Sequence, residues 1–452
     1  MANRPLVLIH GYSDVGTSFA AWEQALRANG YGATPIHTCT YRSLTNEVTI
    51  KDIAEGFDRA LRIQAGLEAD APFDAIVHST GMLVIRAWLT KYGGEGRRQR
   101  LKNLIGLAPA TFGSPLAHKG RSWLGSLFKG NKEQGPDFLE SGDRVLDGLE
   151  LGSRLTWELA HLDLLGPEPF YGPDASTPYV FILCGNQAYG GLRRFINAPG
   201  TDGTVRWAGC ALNTRKITID LTQDPARPAS HARFVLAPWA NIHMPLTLVE
   251  GLNHGTILSD PTPALIEMVT EALQVSSQTE FDLWHGRAAL RTIAARQQAE
   301  EWQQFVVHAV DERGDPITDF YMELFSKDAH GEAQAVDGLE MDVHTYSSDP
   351  SFRCFHLNLR RLNLQHLPNL WMRAMVSSGS SLVGYYGFGC EDPGAVQTSP
   401  DMQGRWAAEL EISSLLGASE VRLFFPYTTT LIELRFNREP LPLAGKNEVC
   451  WF

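Results

Sequence analysis

The junction between an apolar strand and a helix at Ser79 is the feature that most restricts the fold of this chain. Residues 75–77 are apolar, residues 78–81 read His-Ser-Thr-Gly, and residues 82–89 carry apolar side chains at helical spacing. A serine between a strand and a helix occupies a tight turn, and a glycine two residues later lets the helix approach the strand closely. The sequence therefore predicts an α/β sheet with Ser79 as a nucleophile. Val77 stands at the first position of the G-x-S-x-G pattern, so this prediction depends on the other segments.

A second loop with a glycine follows the first apolar run of the chain. Residues 5–9 are typical of a buried strand, and His10, Gly11 and Tyr12 come directly after them. In α/β-hydrolases this loop supplies one backbone N–H of the oxyanion hole, and the residue after the nucleophile supplies the other. We therefore expect Thr80, Tyr12 and Gly11 to form an oxyanion hole. The alternative interpretation is an ordinary turn at the end of a strand.

The acid and base of a Ser-His-Asp triad are expected later in the chain, in the order Ser, Asp, His. The apolar run 179–184 indicates a strand, and Asp202 follows it in a glycine-rich loop. Asp202 is the candidate acid, although Asp-Gly is also a common turn dipeptide. His254 lies in a glycine-flanked loop before a helix expected around residues 263–273, and it is the candidate base. His78 is adjacent to the nucleophile and should point away from it along the strand, which excludes it as the base.

The sequence lacks the motifs of a metal-dependent hydrolase. The chain contains neither an HExxH motif nor a CxxC pair, so metal-dependent hydrolysis has no recognisable ligand set. With Ser79, Asp202 and His254 in order, the sequence predicts a serine hydrolase that uses neither a metal nor another cofactor. The formal net charge of -12 argues against a nucleic-acid partner, because a phosphate backbone selects basic surfaces.

Length and composition predict two domains. A chain of 452 residues exceeds what one core usually supports, and its 44% hydrophobic content can bury two cores. We expect an α/β-hydrolase domain with a mostly parallel sheet at 1–275, a linker and bridging helix at 276–304, and a C-terminal all-β, sandwich-like domain at 305–452. The sandwich is predicted from strand candidates separated by polar turns, at 305–310, 320–325, 352–359, 370–376, 405–412, 421–426 and 431–436.

An insertion at about 112–170 resembles a lid. It contains Trp123, Leu127 and Phe128 beside basic residues, which suits a mobile lid or a groove for an acyl chain. The alternative is a surface helix packed on the core. Because the net charge disfavours attraction to anionic lipid, any peripheral contact with a membrane should be apolar.

Targeting and redox features point to the cytoplasm. No apolar run reaches the length of a transmembrane helix, and a strand that begins at residue 5 leaves no room for a signal peptide. The six cysteines are irregularly spaced, so we expect reduced thiols and no disulfide bonds.

Taken together, these motifs resemble the PlaB-type bacterial phospholipases A/lysophospholipases within the α/β-hydrolase lipases. The resemblance covers the His-Ser-Thr-Gly elbow, the His10-Gly11 loop, Asp202-Gly203, residues 251–255 and the C-terminal extension. These enzymes carry a T-H-S-T-G elbow, from which this chain departs at Val77. The resemblance implies phospholipid and lysophospholipid substrates, the triad Ser79, Asp202 and His254, and peripheral association with the bacterial outer membrane. It also implies a homo-oligomer, a dimer or tetramer, supported by a C-terminal domain that activity requires.

Two further functions stay open at this point. The predicted fold and triad indicate ester hydrolysis but leave the alcohol half of the substrate undefined, so a carboxylesterase or a triacylglycerol lipase is an alternative. The chain could instead be a binding or assembly module in which the C-terminal domain is the working part and catalysis is secondary or lost.

Overall fold

The computed structural model consists of two compact units. The first comprises Met1–Thr214, Pro238–Glu300 and Tyr427–Thr429, and the second comprises Arg215–Ala237, Glu301–Pro426 and Thr430–Phe452. The structure describes residues 3–68, 70–91, 96–119, 142–166, 170–172, 176–190, 197–222, 234–238, 244–362, 367, 369–388, 405–416, 423–440 and 449–450.

A parallel sheet forms the centre of the first unit. Its strands, numbered along the chain, lie in the order β2-β1-β3-β4-β5-β8, and every neighbouring pair is parallel. Parallel sheets are covered by helices on both faces, which explains why residues 6–9 and 179–185 read as continuous apolar runs. Their bounds are β1 Leu6–Ile9, β2 Ile36–Cys39, β3 Phe73–His78, β4 Leu101–Leu107, β5 Tyr179–Gly185 and β8 Leu246–Val249.

Helices surround this sheet. Nine consecutive residues of α3, from Gly81 to Leu89, are buried, and all of them except Arg86 are uncharged, as expected for a central helix. Among the helices of the described ranges, none is both long and apolar enough to cross a membrane. The helices of the first unit are α1 Ala20–Leu26, α2 Ile50–Ile63, α3 Gly81–Lys91, α4 Gly96–Arg100, α5 Pro115–Lys119, α6 Asp143–Leu149, α7 Arg154–Asp163, α8 Trp207–Cys210, α9 Thr256–Ser259, α10 Pro263–Ala272, α11 Gln278–Arg291 and α12 Ile293–Gln298.

The segment expected as a linker and bridging helix packs as part of the first unit. In α11, Trp284 Nε1 donates a hydrogen bond of 2.8 Å to the Met268 carbonyl of α10. The Phe281 ring lies 5.3 Å from the Phe181 ring of β5. These buried aromatic contacts explain why the first unit extends to residue 300, beyond the boundary expected at 275.

The second unit contains two sheets, as expected for a C-terminal sandwich-like β domain. One has the strand order β11-β10-β14-β16, and the other has the order β12-β13-β9-β17-β6-β7 with β15 paired to β17. Apolar side chains of both sheets form one core, which includes Phe305, Phe355, Met372 and Leu434. The bounds are β6 Thr214–Asp220, β7 Phe234–Leu236, β9 Trp302–Asp311, β10 Phe320–Lys327, β11 Ala333–Ala335, β12 Met341–Thr345, β13 Phe352–Asn358, α13 Leu359–Leu362, β14 Trp371–Ser377, β15 Val383–Tyr386, β16 Arg405–Glu411 and β17 Thr429–Pro440.

Two strands of this sandwich come from the part of the chain that the sequence analysis assigned to the hydrolase domain. β6 lies beside β17 in the larger sheet, and Leu221 N–H continues the pairing with a bond of 3.0 Å to the Arg435 carbonyl. The expected 1–275 domain therefore does not coincide with a compact unit. Pairing between strands more than 200 residues apart leaves no local pattern that would place β6 in one domain or the other.

The strand expected at 421–426 is absent from its described part, Leu423–Pro426. The buried amide of Gln303 binds this backbone instead. Gln303 Nε2 donates to the Leu423 carbonyl over 3.0 Å, and Gln303 Oε1 accepts from Phe425 N–H over 2.6 Å. A side chain thus satisfies backbone groups that a neighbouring strand would otherwise have paired.

A fully buried ion pair joins α3 to α7. Arg86 donates from Nε and Nη2 to the two carboxylate oxygens of Asp163, over 2.8 and 2.9 Å. Arg86 Nη1 donates to the Thr111 carbonyl, and the Tyr171 hydroxyl donates to Asp163. The pair is therefore bidentate and hydrogen-bonded on both sides, as a buried charge requires.

We predict that Arg86→Met destabilises the protein by about 3–5 kcal/mol, because it leaves the Asp163 carboxylate buried without its partner. The free energy of unfolding from urea titration measures the effect. The double variant Arg86→Met, Asp163→Leu should recover much of the loss. Arg59→Met, which breaks the exposed pair of Arg59 and Glu55 on α2, is the control and should cost only about 0.5 kcal/mol. Equal losses for the two single variants would contradict the prediction.

Candidate active site

Ser79 lies in a left-handed turn between β3 and α3. Its φ of 52° is rare for a residue with a side chain. Gly81 makes this turn possible, because a Cβ atom at that position would lie only 2.6 Å from the Ile9 carbonyl oxygen of β1. The strained turn and the close approach agree with the nucleophile elbow expected from the sequence.

The loop after β1 borders the Ser79 side chain. A Cβ atom at Gly11 would lie 2.9 Å from Ser79 Cβ and 3.5 Å from Ser79 Oγ. His10 holds this loop, since its Nδ1–H donates a 2.8 Å hydrogen bond to the Gly11 carbonyl. His10 Nε2 accepts from Tyr41 N–H, and the two rings stack. Burial lowers the pKa of His10, which favours the neutral ring that these two hydrogen bonds require.

The expected oxyanion donors lie on both sides of Ser79. Thr80 directly precedes α3, and among the hydrogen bonds of the described residues its backbone N–H has no acceptor. The positive end of the α3 dipole lies at the same point. Gly11 lies against Ser79 in space, and Tyr12 follows it in the loop. In α/β-hydrolases, backbone N–H groups from these two segments bind the oxyanion.

Asp202 and His254 form a buried pair beyond the ends of β5 and β8. His254 Nδ1–H donates to Asp202 Oδ2 over 2.9 Å. The other carboxylate oxygen accepts from the backbone N–H groups of Thr204 and Val205, each over 2.9 Å. The Asp-Gly turn is therefore present, and the same aspartate orients the histidine. His254 N–H also donates to the Asp202 carbonyl over 3.1 Å.

The sequence analysis did not predict that two thiols lie near Asp202. Cys184 in β5 donates from Sγ to Asp202 Oδ2 over 3.5 Å, and Cys210 Sγ lies 3.8 Å from Cys184 Sγ. Burial raises the pKa of both thiols, so Cys184 stays a neutral donor. A cysteine within an apolar strand has no sequence signal that separates this role from simple core packing. The described cysteines, which exclude Cys390, are all free thiols.

His78 points away from Ser79 and toward the loop of His254. Its ring lies 4.7 Å from the His254 ring, and its Nε2–H donates to the His254 carbonyl over 3.0 Å. Ser79 Oγ makes no hydrogen bond to a described residue. Hydrogen bonds between a nucleophile and its base often tighten only when substrate binds. The proposed lid residues Trp123, Leu127 and Phe128 lie outside the described residues.

No protein-family model and no curated protein matches the chain. Among solved structures, phospholipase PlaB from Legionella pneumophila matches with a TM-score of 0.78 and 21% identity over 99% of this chain and 97% of that one. Its complex with thio-NAD gives a TM-score of 0.76 with the same identity and coverage. The mature lipase BlEst2 from Bacillus licheniformis gives a TM-score of 0.39 and 14% identity over 61% of this chain and 93% of that one. The match to PlaB confirms the expected fold, an α/β-hydrolase unit with a C-terminal β domain.

We predict that Cys184→Ala slows the reaction of Ser79 with a fluorophosphonate about fivefold, because one hydrogen bond to Asp202 is lost at a cost of about 1 kcal/mol. The second-order labelling rate constant measures this effect. Cys210→Ala is the matched control, since it removes a buried thiol that donates to Cys184 Sγ over 3.8 Å and makes no hydrogen bond to Asp202. The control should label at nearly the wild-type rate, and equal slowing in both variants would assign the effect to packing.

Proposed function

We propose that this protein is a serine hydrolase that cleaves the fatty acyl esters of phospholipids and lysophospholipids. The observation that carries the proposal is the left-handed Ser79 at the end of β3, together with the buried Asp202–His254 pair after β5 and β8. Because the carboxyl ends of parallel strands meet at one edge of a sheet, the three side chains share that edge. Nucleophile, base and orienting acid are the parts that acyl transfer needs.

The proposed mechanism is a double displacement through an acyl-enzyme. His254 Nε2 takes the proton of Ser79 Oγ as this oxygen attacks the ester carbonyl, and Asp202 stabilises the imidazolium that forms. Backbone N–H groups of Thr80 and of the Gly11–Tyr12 loop stabilise the oxyanion. His254 then protonates the leaving alcohol, and a water molecule releases the fatty acid by the same steps in reverse order. Neither a metal nor another cofactor takes part in this scheme.

The phospholipid substrate is supported by the fold shared with a phospholipase and by the motifs that resemble the PlaB-type enzymes. A carboxylesterase or triacylglycerol lipase would use the same triad, so the assay must also include a simple carboxylic ester and a triacylglycerol as substrates. A binding module without catalysis is disfavoured, because it has no need for a strained serine beside a buried Asp–His pair.

We predict that the wild-type protein releases fatty acid from diacyl- and lysophospholipids and that Ser79→Ala abolishes this release. Fatty-acid titration measures it, beside a triacylglycerol and a short p-nitrophenyl ester. Ser18→Ala, which removes a hydroxyl bonded to the Val15 carbonyl on the surface, is the control and should behave as wild type. Activity on the triacylglycerol or the p-nitrophenyl ester alone would agree with the proposed triad but would reject phospholipids as the substrate. Full activity in Ser79→Ala would reject the mechanism.

We further propose that the C-terminal domain supports a homo-oligomer and that the protein contacts membranes peripherally. Residues 449–452 read Val-Cys-Trp-Phe, of which Val449 and Cys450 are described and exposed. Exposed apolar groups favour burial against a partner.

Deleting residues 447–452 should therefore lower activity or reduce the size of the assembly. Size-exclusion chromatography with light scattering, together with the fatty-acid assay, measures both. A shortened protein with the wild-type assembly size and wild-type rate would reject this role for residues 447–452.

A further inference from the structure

His78 is a buried histidine that the mechanism above does not use. It ends β3, directly before Ser79, and its side chain reaches the loop that carries the base. The ring lies 4.7 Å from the His254 ring at an interplanar angle of 44°. The His78 side chain therefore contacts the candidate base, His254, although His78 is adjacent to the candidate nucleophile, Ser79, in the chain.

The backbone of His254 is held at both of its polar groups. Its N–H donates to the Asp202 carbonyl over 3.1 Å, and its carbonyl accepts from His78 Nε2–H over 3.0 Å. The first bond ties the base to the loop of the acid. The second ties it to the strand of the nucleophile, one residue from Ser79. A small displacement of the base would lengthen its distance to the hydroxyl that it must deprotonate.

The protonation state of His78 suits a permanent donor. A carbonyl oxygen only accepts, so the proton of the neutral ring is on Nε2, and Nδ1 is a buried acceptor without a partner among the described residues. Burial, followed by the charges of His254 and His10, holds the pKa of His78 well below its usual value. These two imidazoles are the titratable groups that act on it. His78 thus stays neutral over the range in which a catalytic histidine titrates.

We propose that His78 is a positioning residue, which fixes the His254 imidazole relative to Ser79 through the hydrogen bond to the His254 carbonyl and through contact between the two rings. This inference rests on the proposed function, since it assigns His254 as the base. It explains a histidine before the serine without giving it a role in proton transfer.

The test compares variants that keep or remove the donor. His78→Gln keeps an N–H near the position of Nε2, whereas His78→Leu removes the donor and keeps most of the volume. We expect His78→Leu to lower kcat about tenfold to a hundredfold on a p-nitrophenyl ester while KM changes less than about twofold, as for a base out of place. The acidic limb of the kcat/KM profile should move to higher pH, because the positive end of the N–H dipole no longer disfavours the imidazolium. His78→Gln should recover most of both effects.

Two further variants separate positioning from simple stability. His161→Leu removes an imidazole that donates to the Trp157 carbonyl over 2.8 Å on α7, so it should lower the melting temperature without moving the acidic limb. His78→Phe, which fills the site without a donor, replaces His78→Leu if the latter fails to fold, and the same loss is expected.

The outcomes also separate this inference from the proposed function. Wild-type activity in Ser79→Ala would overturn the proposed function whatever His78 does. Activity that depends on Ser79, combined with unchanged kcat and acidic limb in His78→Leu, would overturn only the positioning role. A folded His78→Gln that is as slow as His78→Leu would overturn it as well.

Discussion

The left-handed turn at Ser79 is the constraint on which the rest of the first unit depends. Such a backbone costs about 1–3 kcal/mol, and it persists only where the surrounding structure holds it. The neighbouring strand and loop provide that support, since Ser79 N–H donates to the Leu107 carbonyl and Ala110 N–H donates to the Ser79 carbonyl. The burial of α3 adds to it. The core of the sheet therefore stabilises the geometry that places the serine at its carboxyl edge.

Hydrogen bonds between side chains and backbone groups organise the candidate site. His10 holds the Gly11 carbonyl, His78 holds the His254 carbonyl, and the Asp202 carboxylate accepts two backbone N–H groups. Both supporting histidines have a lowered pKa because of burial, so they stay neutral donors. Each of these bonds fixes a loop at the end of a strand. In the proposed acyl transfer these loops are already held in place, and only the contact between Ser79 and His254 has still to form.

Local patterns predicted some parts of the structure and missed others for physical reasons. Strands β1, β3 and β5 and helices α3 and α10 were predicted, because buried parallel strands and a central helix leave apolar runs. β6 was assigned to the wrong unit, because its partner β17 lies more than 200 residues away. A strand was expected at 421–426 because the segment is apolar. The Gln303 amide binds the backbone there, in place of a neighbouring strand. The hydrogen bond from Cys184 to Asp202 is equally invisible in the sequence.

The sequence by itself determined the order of the candidate groups Ser79, Asp202 and His254, and the fold class around them. Both depend on residue types at fixed local spacing, such as the glycine two positions after the serine. Only the tertiary structure decided what holds these groups. Contacts such as that of His78 with His254, 176 residues apart, depend on which strands lie side by side, and many different sequences can produce the same neighbours. The identity of a supporting residue is therefore set by packing, whereas the identity of the nucleophile is set by chemistry.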